Sequence, residues 1–203
     1  MTERDALPNV SRETMERLRH FEALVAKWTK KINLVSRQDA EKIWSRHILD
    51  SVQIFDVAPA AGHWLDIGSG GGFPGIVAAV LAKEEDATRA FTLVDSDQRK
   101  CAFLRTAARE LDLNVTVHAS RIDEMEPQNA SVLSARALDD LSGLLLHAHQ
   151  HLAPDGVALF PKGARWREED AAARKEWSYD LEPIKSKTNP DAIILKIKEL
   201  ARV

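Results

Sequence analysis

Met15, Leu18, Phe21, Val25, Trp28 and Ile32 recur at steps of three and four, with charged residues on the opposite face. That stripe predicts an amphipathic helix over residues 11–31, with Ser11 as its N-cap just after Pro8. A second helix is expected from about Asp39 to Phe55, where Ile43, Trp44, Ile48, Leu49, Val52 and Phe55 form the apolar set. Beyond the Pro59–Gly62 segment the period changes. Trp64–Ile67 and Phe91–Val94 read as short buried strands, each followed by a helical stretch, Ile76–Lys83 and about Asp97–Leu111. Val115–Val117 and Ser131–Ser134 are weaker strands, Leu141–Leu152 is helical, Pro154–Gly156 a turn and Val157–Phe160 a strand. Tyr179–Ile184 and Ile193–Ile197 follow with no long helix between them, so an antiparallel pair is expected. Alternating strands and helices call for an α/β fold, a mostly parallel sheet with helices on both faces.

Length and composition narrow the class. At 203 residues the chain suits one domain with an appendage, and we divide it into an N-terminal helical extension, residues 1–60, and an α/β domain, residues 61–203. Hydrophobic residues at 44% and charged residues at 29% are those of a folded globular chain. The longest uncharged apolar run, Ile76–Ala82, is too short to span a bilayer, and the charged opening Met1–Pro8 does not resemble a signal peptide. A lone Cys101 excludes an internal disulfide, and a cytoplasmic protein is expected. The net charge of −3 gives no global basic field, yet the acidity is concentrated in residues 61–133, at net −4. Any polyanion-binding surface must therefore be local.

The strongest motif lies in that acidic third. Asp66-Ile-Gly-Ser-Gly-Gly-Gly-Phe-Pro-Gly75 follows a strand and opens a helix, and its glycines let backbone approach a ligand. Gly70, Gly72 and Gly75 fit the spacing of a dinucleotide loop, with Asp95 placed 20 residues further on as a ribose acceptor. Asp97 is an equally good N-cap for the helix that follows. Asp66 argues against a pyrophosphate, which wants N–H donors, and suits a cationic ligand such as the sulfonium and ammonium of S-adenosylmethionine. Asp66, Gly68, Gly70 and Gly72 resemble the first motif of class I methyltransferases, whose fold is Rossmann-like. A nicotinamide-dependent oxidoreductase using the same loop is the alternative. A third reading is a ribosome-associated binding module without chemistry, against which intact Gly68, Gly70, Gly72 and Asp95 argue.

Further motifs extend the resemblance over nearly the whole chain. They are Trp28-x-x-Lys-x-Ile-Asn-Leu34, Arg46-His-Ile-Leu-Asp-Ser51, Leu93-Val-Asp-Ser96, Arg99-Lys100 with Phe103-Leu104, Ser134-Ala-Arg-Ala137 and Pro161-Lys-Gly163. With the glycine loop they resemble the bacterial small-subunit rRNA methyltransferase G family, also called glucose-inhibited division protein B. The resemblance implies methyl transfer from S-adenosylmethionine to N7 of a guanine in 16S rRNA, with 16S rRNA or the small ribosomal subunit as partner; a monomer without a metal is expected. The resemblance also implies that Gly68 and Phe73 line the methionine side of the cofactor, Asp95 its ribose, Ile122 and Asp123 its adenine. Arg136 becomes a cofactor-side or substrate-side ligand.

Arg46, His47, Lys162, Arg165 and Arg167 are the candidate RNA contacts, with Lys27, Lys30 and Lys31 as further phosphate candidates. Trp28, Trp44 and Trp64 fit the apolar stripes as core, whereas Trp166, flanked by arginines and expected on a loop, is the stacking candidate. His147, His149 and His151 look metal-like but lack a third ligand type, so a solvated polar face is expected. The family has Ala-Glu where this chain has Ile122-Asp123, and Ser120 stands where it has glycine. Asp139-Asp140 replaces its small residues. No Pro-Pro loop for an exocyclic amine is present, and Cys101 reads as core rather than nucleophile. N7 of guanine attacks through an in-plane lone pair and loses no proton, so no catalytic base is expected. Another RNA atom remains the alternative acceptor.

Overall fold

A computed structural model describes Leu7 and residues 10–36 and 38–203; Pro8 and the rest of the opening segment lie outside the described residues. Helix α1 (Arg12–Thr29) starts at Ser11, whose hydroxyl accepts the Thr14 N–H. The second helical stretch begins later than the expected Asp39. Ser36 and Asp39 close a turn through a 2.6 Å side-chain hydrogen bond, and the helix opens with a π-helical turn, Trp44–Ile48, before α2 (Leu49–Asp56).

The remaining elements follow the alternation. They are β1 (Trp64–Ile67), α3 (Gly75–Glu85), β2 (Phe91–Val94), α4 (Gln98–Glu110), β3 (Val115–His118) and β4 (Ala130–Ala135). Then come α5 (Leu141–His151), β5 (Leu152–Lys162), α6 (Trp166–Ala173), β6 (Trp177–Lys185) and β7 (Ile193–Arg202). A single seven-stranded sheet runs in the order β3-β2-β1-β4-β5-β7-β6. β1 to β5 are parallel; β7 is antiparallel to both β5 and β6, as the missing helix between the last two strands requires.

Two further expectations are corrected. Pro154–Gly156 is not a turn ahead of the strand; it lies inside β5 as an irregularity where Ala130 pairs with Leu152 and Val132 with Val157. Trp166 is not on a loop but opens α6, an element too short and too charged to show a helical period.

Helices cover both faces. Trp64, Phe91, Leu93 and Leu159 pack toward α1, α2, α3 and α4 in one core, while Leu65, Ile67, Leu133 and Phe160 pack toward α5 in the other. Trp44 and Trp64 are buried and Trp28 rests on Phe103 at 5.6 Å, so these three indoles are core, as their stripes predicted. The segment before β1 is held by Arg89, whose guanidinium donates to the carbonyls of Pro59, Ala60 and Gly62. No helix among the described residues is long and apolar enough to cross a membrane.

Candidate active site

The chain leaves β1 for β2 on one side and β4 on the other, so a crevice opens at the carboxyl ends of these strands. There the glycine loop turns from β1 into α3. Gly68, Gly70 and Gly72 all have positive φ. At Gly72 both the conformation and the space demand glycine: a Cβ would come within 2.8 Å of Ile76 and 2.9 Å of Phe21. The Phe73–Pro74 peptide is cis.

Asp66 sits beneath this loop, fully buried, not in the crevice. One of its oxygens accepts the Ser134 hydroxyl at 2.6 Å, and the other accepts the Gly75 N–H at 3.2 Å. Ser134 in turn accepts the Trp64 indole N–H at 2.8 Å. Burial pushes the Asp66 carboxyl up to about 6, against the downward pull of its hydrogen bonds with Ser134 and Ser69. The carboxylate therefore shapes the loop from below, where the sequence suggested direct contact with a cationic ligand. Ser134 is the partner that sequence reasoning missed, though it belongs to a motif already singled out.

Ser134→Ala is expected to destabilise the fold by about 2–3 kcal/mol, since it removes a hydrogen bond to a charged group and orphans the Trp64 N–H. Its pH dependence has a definite sign. Because the folded-state pKa lies above the ordinary 3.8, protonation of Asp66 favours the fold below about pH 4, and that advantage is lost as pH rises through about 6. The variant should therefore lose more stability near pH 8 than near pH 4.5. Equal denaturant midpoint shifts at both pH values would refute this account of Asp66.

Above the loop lies a cleft of about 420 Å³. Asp95 stands on its rim at the end of β2. One carboxylate oxygen accepts the Gly70 N–H and the other the Asp97 N–H, both at 2.8 Å, and each retains a further lone pair. Asp97 is the N-cap of α4, accepting from Arg99 and Lys100. Gly68, Asp95, Ile122 and Asp123 are thus brought together around one cleft. Gly70 is joined to them through Asp95, and Lys100, which the sequence offered as part of a motif but with no site role, lines the same cleft.

Phe73, His47 and Arg136 form a separate cluster beside the loop. His47 stacks on Phe73 at 5.0 Å and its Nδ1 lies 2.7 Å from Arg136. The guanidinium also lies over the Phe73 ring at 5.3 Å. Burial, then the Arg136 charge, drives the His47 pKa down to about 4, so the ring is neutral near pH 7. Its Nε2 is buried with no hydrogen-bond partner among the described residues. Arg46, on the same π-helical turn, is exposed. The neighbouring Asp50 accepts from Thr188, tying α2 to the β6–β7 loop.

The opposite wall explains Asp139-Asp140. Asp140 caps α5 by accepting the Gly143 N–H at 2.9 Å, and Asp139 accepts the Asp140 N–H at 2.8 Å. Leu138 rests over Gly68, so near that a Cβ there would come within 2.9 Å of it. Lys162 turns inward: it donates to the Asp139 carbonyl at 2.9 Å and pairs with Glu169 at 2.8 Å. Glu169 also accepts the Leu141 N–H. Arg165 and Arg167 are exposed at the start of α6, with Arg167 over the half-buried Trp166 ring at 4.5 Å. Lys27, Lys30 and Lys31 are exposed at the far end of α1.

The three histidines do not form a solvated face. His149 is exposed and leans on Trp177 at 5.4 Å, His147 is half-buried in the cleft wall, and His151 is fully buried. Helix α5 turns this edge toward the sheet, a placement that its His-x-His-x-His spacing does not reveal. No group of three His, Cys, Asp or Glu side chains among the described residues could hold a metal ion. Cys101 is buried against the Asp95 carbonyl, and burial raises its thiol pKa.

The model of one family, described as rRNA small subunit methyltransferase G, matches residues 14–192. A Ribosomal RNA small subunit methyltransferase G from Ruegeria sp. (strain TM1040) is 55% identical over 96% of this chain and 95% of its own. One from Granulibacter bethesdensis is 48% identical over 96% and 89%. Among solved structures, M. jannaschii TYW2 in complex with AdoMet aligns with a TM-score of 0.60 at 16% identity, covering 86% of this chain and 80% of that one. A SAM dependent methyltransferase from Aquifex aeolicus aligns with a TM-score of 0.60 at 11% identity, covering 79% and 94%. At such identities these two structures speak for the fold alone.

Proposed function

Because this chain belongs to the rRNA small subunit methyltransferase G family, we propose that it transfers a methyl group from S-adenosylmethionine to N7 of a guanine in 16S rRNA. Membership removes the oxidoreductase alternative. The observation that carries the cofactor reading is the cleft itself, with Gly68 in its lining and the Asp95 carboxylate on its rim, bonded to the Gly70 N–H of the glycine loop. Its size suits a nucleoside-bearing ligand. Two buried polar atoms in its lining residues, Ser120 Oγ and His147 Nδ1, lack partners among the described residues, as a ligand-binding wall would. The cofactor, when bound, supplies an electrophilic methyl group on a sulfonium centre.

The chain's own residues bind and orient. Asp95 accepts ribose hydroxyls through its remaining lone pairs, and Ile122 and Asp123 border the base. Gly68 and Gly70 let the main chain approach the amino-acid end, over a loop that Asp66 holds in shape. Phe73, His47 and Arg136 stand beside that end; the unpartnered Nε2 of a neutral His47 and the guanidinium suit the edge of a guanine. Arg46, Arg165 and Arg167 are free to meet phosphates. Lys162 supports the wall between them from behind. With an N7 acceptor no group has to remove a proton, and positioning carries the rate.

The test is transfer of labelled methyl from S-adenosylmethionine to small ribosomal subunits that lack the modification, followed by nuclease digestion. Label is expected in 7-methylguanosine, with a single-turnover rate nearly flat between about pH 6.5 and 8.5. Label on a ribose or an exocyclic amine would overturn the N7 assignment. No transfer to subunits or to their RNA would overturn the reading as a whole.

A further inference from the structure

The hairpin loop between β6 and β7 lies at the same edge of the sheet as the crevice. Lys162 at the end of β5 and Lys185 at the end of β6 both pair with Ile193, the first residue of β7. Residues 186–192 therefore project past the carboxyl ends of the parallel strands. Three hydrogen bonds pin this loop to α2. Gln53, buried though polar, accepts the Lys187 N–H at 2.6 Å and donates to the Thr188 hydroxyl oxygen at 3.2 Å. Thr188 gives its one proton to Asp50.

Asp50 stands three residues after His47 in one continuous helical run, so the two are neighbours on its surface. The Ser51 hydroxyl steadies the turn between them by donating to the His47 carbonyl at 2.7 Å. Arginine has only donors, so the 2.7 Å contact with Arg136 makes His47 Nδ1 the acceptor. Burial lowers the Arg136 pKa, and three carboxylates oppose it, Asp50 most, then Asp66 and Asp39. Two of these are committed elsewhere: Asp66 to Ser134 and Gly75 beneath the glycine loop, and Asp39 to Ser36. Asp50 gives one oxygen to Thr188 and has a second to offer. A guanidinium drawn partly out of water needs such a counter-charge.

We propose that Asp50 is a positioning residue for methyl transfer: anchored by Thr188 of the β6–β7 loop, its charge holds the Arg136 guanidinium in place against His47. This rests on the methyl-transfer reading above and adds to it a carboxylate of α2 and a loop which that reading does not use. Asp50 acts through Arg136, not on substrate or cofactor. The β6–β7 loop thereby becomes part of the support of the site, although it lies far along the chain from every motif of the cofactor cleft.

The test is a double-mutant cycle on single-turnover methyl transfer to unmodified small subunits, at saturating S-adenosylmethionine. Labelled methyl and enzyme in excess keep slow rates measurable. Asp50→Asn, which keeps the shape and the acceptor for Thr188 but removes the charge, should slow transfer about ten- to a hundredfold, as displacing a group beside the reacting atoms does. Arg136→Gln should slow it at least as much. The Asp50→Asn, Arg136→Gln double variant should be no slower than Arg136→Gln alone, because Asp50 then has nothing left to position. Thr188→Val should show a smaller loss that likewise disappears in the Arg136→Gln background. A merely structural role for Asp50 would make the losses multiply in the double variant, and that result overturns the proposal. An unchanged rate in Asp50→Asn or in Arg136→Gln overturns it as well. Should Asp50→Asn fail to fold, the Thr188→Val and Arg136→Gln cycle decides by the same comparison. A parent protein that transfers no methyl group would overturn the methyl-transfer reading first, and this inference with it.

Discussion

Asp95→Ala is expected to weaken S-adenosylmethionine binding about ten- to a hundredfold. A carboxylate accepting ribose hydroxyls makes hydrogen bonds worth about 1.5–3 kcal/mol because the acceptor is charged. The structure adds a second component. The same carboxylate accepts the Gly70 and Asp97 N–H groups, so alanine would also release the glycine loop from the end of β2. Asp95→Asn grades the two effects, since its amide oxygen can still accept one of those N–H groups while its amide nitrogen cannot accept the other. The asparagine variant should fall between parent and alanine both in affinity and in melting temperature. Calorimetry and thermal denaturation on the three proteins decide. Unchanged affinity in Asp95→Ala would remove this residue from the site.

Gly72→Val should cost about 3–5 kcal/mol of stability. The main chain at this position has φ of +85°, where a β-branched residue is strained by about 1–3 kcal/mol. Its Cβ would also press on Ile76 and Phe21, at 2.8 and 2.9 Å, and overpacking of this kind adds about 1–3 kcal/mol. For a chain of this length the melting temperature should fall by on the order of 10 °C. The strain is local to the junction of the loop with α1 and α3, so methyl transfer should fall with stability. A variant that melts with the parent would show that the loop can adopt another conformation, and the assignment of its geometry would fail.

The centre of the parallel sheet was legible because β1 and β2 are short, buried on both faces and separated by strong punctuation. Trp64–Ile67 and Phe91–Val94 end where the sequence pattern ended them. α6 was not legible. Its eight residues include Arg167, Glu168, Glu169 and Asp170, and only Ala173 is buried, so no apolar period betrays it. The start of the second helix was misplaced because Ser36 and Asp39 prefer each other's side chains to a helical main chain.

The site divides in the same way. Glycines and Asp95 announce themselves by spacing, since the loop they form is local in sequence. Contacts that join distant segments leave no such trace. Ser134 under Asp66, Glu169 behind Lys162, and the inward turn of His147 and His151 each depend on how one element packs on another. Lys162 shows the difficulty best: a lysine in a Pro-Lys-Gly turn reads as a surface charge, yet its amine is held by a carboxylate seven residues on and by a main-chain carbonyl from another loop.

The guanidinium of Arg89 bears on how this molecule could be cut or recombined. It is 5% exposed, lies over Trp64 and Phe91, and is satisfied by carbonyls from the segment that joins the N-terminal helices to β1. A chain begun at β1 would lose the three carbonyl oxygens that accept from this guanidinium, and with them the cover over it and its two aromatic neighbours. The first 60 residues are therefore not an interchangeable module to be trimmed away or grafted onto another sheet. A chimaera that exchanged them would have to bring its own Pro59–Gly62 equivalent, or replace Arg89 and its two aromatic neighbours together.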